Sequence, residues 1–218
     1  MNKQIGKLLV FGGFTLKMCL AAYSYLATIL SFSKGSLLRS LLRLLTGEFI
    51  SVLYRLASLG AVLAIVAGFV VMFLAGRSVT DLLLGILFAF DLRTPFAALT
   101  SGRMSSYATV AGDTHLDFLG AYLNNHDNVA TSVTLWIILL IWSFKFLFNG
   151  NKLGYSLIWL GMMGPFITPL FGTLAVFLIK KLELGIAISK LIFFGVLSIP
   201  TICAAALAFA TFLDLQRE

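Results

Sequence analysis

The side chains best suited to chemistry lie together between Thr100 and Asp127, where both histidines and three of the nine acidic residues fall. Imidazole and carboxylate groups ligate divalent metals, and beside a serine such as Ser105 or Ser106 they could support acyl transfer. The spacing assembles neither. His115 and His126 are eleven residues apart, about three turns along one helical face and too far for two ligands of one ion on one helix. No His-Glu-x-x-His helix, paired intramembrane aspartates, Gly-rich phosphate loop or nucleophile elbow accompanies them. His115, Asp117, His126 and Asp127 therefore stand as loop candidates only, with a solvated loop as the plainer reading. No catalytic residue, metal or cofactor is expected, and the chain reads as non-enzymatic.

A second constellation is Gly161, Gly164, Pro165, Pro169 and Gly172, inside the longest apolar run. Two prolines four residues apart remove two backbone donors, and nearby glycines lower the cost of unwinding, so a helix here should kink or break. Freed carbonyls near the middle of a bilayer are how discontinuous helices hold an ion or solute, which makes these five residues the pore or helix-break candidates. The competing reading is a structural kink with a glycine face for close helix packing. Pro200 supplies a second, weaker kink signal.

The elements that must carry these residues follow from composition. In 218 residues, 60% are hydrophobic and only 11% charged, with a mean hydropathy of +1.00; soluble domains carry about 25% charged residues. This excludes a disordered chain, a disulfide scaffold and a nucleic-acid-binding domain on a basic surface, and predicts an all-α, polytopic integral membrane bundle. Cys19 and Cys203 each sit in apolar surroundings, where neither a disulfide framework nor a metal site is expected. Crossing a bilayer takes roughly 20 residues. Leu56 to Gly76 offers 21 without a charge, Leu153 to Ile179 offers 27 and Leu191 to Leu213 offers 23. Asn128 to Phe144 is a fourth, with Lys145 expected to snorkel from its end. Residues 1–33, interrupted by Lys17, read as an uncleaved first helix, and Leu82 to Leu99 as an uncertain sixth segment ended by Asp91, Arg93 and Pro95.

Residues 34–55 carry the cleanest periodicity: polar residues recur every three or four positions against a leucine face, and Lys34, Arg39, Arg43 and Arg55 oppose one acid, Glu48. That pattern predicts a basic amphipathic helix lying in the membrane interface or contacting a partner. The chain thus divides as a first helix (1–33), the basic helix (34–55), a second span with the uncertain segment (56–99), a polar loop (100–127) and three membrane helices (128–213). Five to six membrane segments are expected. If 82–99 crosses, Lys3, Lys7, Arg77, Lys152 and Arg217 share one side and the other basic segments the opposite one.

Little extramembrane mass, many small residues for helix packing and no catalytic set point to a subunit of a larger membrane complex, such as a secretion or translocation machine. Its expected partners are the lipid bilayer and other membrane subunits or copies of itself, not nucleic acid. A small-solute transporter or channel using Gly161 to Gly172 is the alternative. The expected setting is a bacterial inner membrane, since no Asn-x-Ser/Thr acceptor occurs.

Overall fold

A computed structural model describes residues 3–31, 48–91, 126–182 and 185–217. Among them the chain is all-helical, with no strand. The helices are α1 (Lys3–Ser31), α2 (Glu48–Gly76), α3 (Val79–Asp91), α4 (His126–Phe148), α5 (Lys152–Met162), α6 (Gly164–Lys181) and α7 (Ile186–Leu215). Three are long and apolar enough to cross a membrane, within Lys3–Ala27, Val52–Gly76 and Ile188–Leu215.

The first helix is continuous through Lys17, so one half-buried cation does not interrupt it. α2 starts at Glu48 and runs unbroken through Arg55 into the apolar run, so the last eight residues of the expected basic helix extend the second span. Residues 34–47, with Lys34, Arg39 and Arg43, lie outside the described residues, as does 92–125 with His115 and Asp117. α3 has 13 residues, a length of about 20 Å against the roughly 30 Å of a hydrocarbon core.

The 27-residue apolar run is two helices. α5 ends at Met162 and α6 begins at Gly164. The interruption is one residue wide: the Met163 N–H donates to the Trp159 carbonyl at 3.0 Å, and its own carbonyl accepts from Ile167 at 2.9 Å. Pro165 falls in the first turn of α6, where a missing donor is tolerated. α7, by contrast, runs through Pro200 without a break.

Packing follows an up-and-down order. α1 packs on α2, α2 on α3, α3 on α4, α4 on α5, α5 on α7, and α7 back on α1, which closes a ring of six helices. α6 lies outside it, against α7. The centre is filled by rings from four helices. Phe14 stacks on Trp142 at 5.1 Å, Phe69 stacks on Phe88 at 5.5 Å, and Phe88 meets Trp142 edge-on at 5.6 Å. All four are buried, and offset or edge-on contacts of this kind add to simple burial.

Between α1 and α2 the backbones touch. A Cβ on Gly68 would lie 2.6 Å from the Gly6 carbonyl oxygen, and one on Gly13 2.7 Å from that of Ala61. Without a hydrophobic force between helices in lipid, such close approach is a main source of attraction. Gly68→Val is expected to lower stability by about 1–3 kcal/mol, since backbone cannot yield as a side chain would. Gly60→Ala, which meets open space, should change thermal unfolding in detergent little.

Candidate functional site

The up-and-down order brings one set of helix ends together: the starts of α1, α3 and α5 and the ends of α2, α4 and α7. Here the bundle buries its charges. Asp81 is 0% exposed, in the first turn of α3, and the Lys145 ammonium from the last turn of α4 donates to its Oδ1. The two helices run antiparallel, so the carboxylate meets the positive end of one helix dipole and the ammonium the negative end of the other. Lys145 also lies 6.0 Å from the centre of the Phe69 ring. Lys145 therefore does not snorkel outward. Its side chain is 14% exposed and turns into the bundle, because a buried carboxylate within reach is a better partner than distant water.

The second pair closes the ring. The Lys7 Nζ donates to the backbone carbonyls of Asp214 at 2.8 Å and Arg217 at 3.3 Å, and lies 3.9 Å from the Asp214 carboxylate. An ammonium on the last carbonyls of α7 takes up acceptors that the helix end leaves unpaired. Arg217 adds a bond from Nη1 to the Asn149 carbonyl at 3.2 Å, tying the end of α7 to the α4–α5 turn. In that turn Gly150 takes φ 69°, a left-handed value glycine adopts without penalty. Asn151 then caps α5 by accepting the Gly154 N–H at 2.9 Å.

Between the two pairs lies a cavity of about 10 Å³, lined by Lys7, Lys145, Thr211, Asp214 and the apolar Val10, Phe69, Met72, Trp142 and Phe146. That volume is the scale of one water or one ligand oxygen. Thr211 Oγ bonds backward to the carbonyls of Leu207 and Ala208, so the polar part of the lining is left to Lys7, Lys145 and Asp214. The sequence places Lys7 by sidedness and Lys145 by depth and pairs neither with an acid. A lone acid at Asp81 just after Arg77 and a lone cation at the end of an apolar run are visible in it; which cation meets which acid is not.

The expected site residues distribute differently. Gly161 and Gly164 face α7: a Cβ on Gly161 would lie 2.3 Å from Leu207 Cγ, and one on Gly164 2.9 Å from Cys203 Cβ. Gly172 makes only an ordinary contact, 3.9 Å to Val196. Pro165 and Pro169 lie in the α6 backbone, but their side chains fall outside the described ones. The same holds for His126 and Asp127 at the start of α4, and Arg55 is half-buried in α2. Among the described residues, no three His, Cys, Asp or Glu side chains gather as a metal site would require. Comparison with family models, with curated proteins and with solved structures finds no match.

Proposed function

We propose that this chain is a non-enzymatic, multi-pass integral membrane subunit of a larger assembly, acting through helix packing. The observation that carries the reading is the filled centre. Phe14, Phe69, Phe88 and Trp142 occupy the middle of the ring, so among the described residues the surface left for the chain to act through is the outer one. That surface is apolar over long stretches. α4 exposes Val133, Trp136, Ile137, Leu140 and Phe144, and α6, outside the ring, exposes Phe171, Leu174 and Phe177. In such an assembly a passage runs between subunits rather than through this one. The proposed setting is a bacterial inner membrane, and a secretion or translocation machine is the kind of assembly proposed.

The interruption at Met163 favours a second reading, solute transport along the broken helix. Its glycines pack on α7, which supports the structural kink over an open seam. The two readings separate on the basic segment. Replacing Arg39 and Arg43 with Glu should strip co-purifying subunits from the tagged chain while leaving it in the membrane fraction. A variant that keeps every partner, or a wild-type chain that is a stable monomer whose solute flux changes with Pro165→Ala, would turn the assignment to transport.

A further inference from the structure

The same end of the bundle that buries Lys7 and Lys145 carries a rim of exposed cations. Lys3 opens α1, Arg77 forms the α2–α3 turn, Lys152 opens α5 and Arg217 follows α7, all of them exposed. Among the described residues at this end the carboxylates are already engaged: Asp81 is buried against Lys145, and Asp214, 23% exposed, lies beside Lys7. Large apolar side chains alternate with these cations at the surface: Leu74 and Val79 flank Arg77 at 58% and 65% exposed, and Phe148 and Leu153 flank Lys152 at 85% and 57%. Apolar groups that accept acyl chains beneath cations that accept a phosphate are the two halves of a phospholipid contact. A soluble acidic protein would use the cations and leave the apolar half wet.

The cavity between the ion pairs adds no free cation to this rim, since Lys7 is paired with Asp214 and Lys145 with Asp81. At about 10 Å³ it takes a single oxygen atom and not a whole headgroup. We propose that this end binds the phosphate of an anionic phospholipid, the headgroup held by the exposed rim of Arg77, Lys152 and Arg217 and the acyl chains against the apolar side chains that flank it. The inference rests on the membrane placement proposed above and is independent of the assembly reading.

The test uses the full chain in nanodiscs of phosphatidylcholine with and without phosphatidylglycerol, followed by release and native mass spectrometry of retained lipid. The wild-type chain should retain phosphatidylglycerol in preference to phosphatidylcholine. The triple variant Arg77→Gln, Lys152→Gln, Arg217→Gln should lose that retention by about tenfold or more, since each basic group near the surface contributes to anionic binding. The double variant Lys181→Gln, Lys190→Gln, at the opposite end, should retain it. All three substituted residues of the rim are exposed, and helix content by circular dichroism checks that the variant folds. Lipid retention that is unchanged in the triple variant, or lost equally in the opposite-end variant, overturns the proposal. So does stabilisation by inorganic phosphate in lipid-free detergent equal to that by phosphatidylglycerol, which would make the ligand a free anion. A chain that does not enter nanodiscs at all would overturn the membrane placement and this site with it, whereas entry without anionic preference removes the site alone.

Discussion

Lys145→Met is expected to lower stability by about 3–5 kcal/mol, because it leaves the Asp81 carboxylate charged, 0% exposed and without its cation. Oδ2 of Asp81 has no hydrogen-bond partner even in the intact pair, so the ammonium at Oδ1 carries the compensation nearly alone. Asp81→Leu strands the ammonium instead, but Lys145 retains some exposure and can swing outward, so its cost should be smaller. The double variant Asp81→Leu, Lys145→Met should recover most of the loss, since replacing a buried pair with apolar groups is often neutral or stabilising. Thermal unfolding in detergent of the two single variants and the double variant measures all three outcomes. A double variant as unstable as Lys145→Met would mean that the pair does more than neutralise itself.

The second large effect is Trp142→Ala. Trp142 touches Phe14, Phe69, Phe88 and Phe146, so its removal opens a void that no single neighbour can refill. Truncating a buried Trp usually costs about 3–5 kcal/mol. In the proposed membrane setting about 3 kcal/mol is expected, because lipid or detergent solvates apolar groups as well as the core does and only the packing part is lost. Trp142→Phe should retain most of the stability. Equal unfolding temperatures for Trp142→Ala and the parent chain would contradict a filled centre.

The sequence revealed which segments are apolar more readily than how they meet. The uncharged runs from Leu56 and from Leu191 lie within α2 and α7, and the Gly-Pro segment does interrupt its helix. Run length alone passes 153–179 as a span, while its glycines and prolines predict the break that divides it into α5 and α6; Lys17 interrupts the apolar run of 1–33 but not the helix, as expected for a single first helix. A proline acts on the backbone wherever it falls, so its effect can be read locally. A lone lysine can lie along its own helix, so its effect depends on neighbours. The pairing of Asp81 with Lys145, 64 residues apart, and the contact of Gly6 with Gly68 depend on which helices are adjacent, a property of the ring and not of any one segment. Gly6, Gly13 and Gly68 stand out only through the α1–α2 crossing, where their missing Cβ atoms let the backbones meet.

Whether the bundle works as one subunit among others, as proposed, is tested most directly by the mass of the intact particle. The tagged chain would be extracted from its native membrane in gentle detergent or nanodiscs, and its mass measured with its co-purifying proteins identified. A defined particle several times the 23.7 kDa of one chain, with stoichiometric partners or a fixed number of copies, is the predicted result. A stable, partner-free monomer would contradict the account.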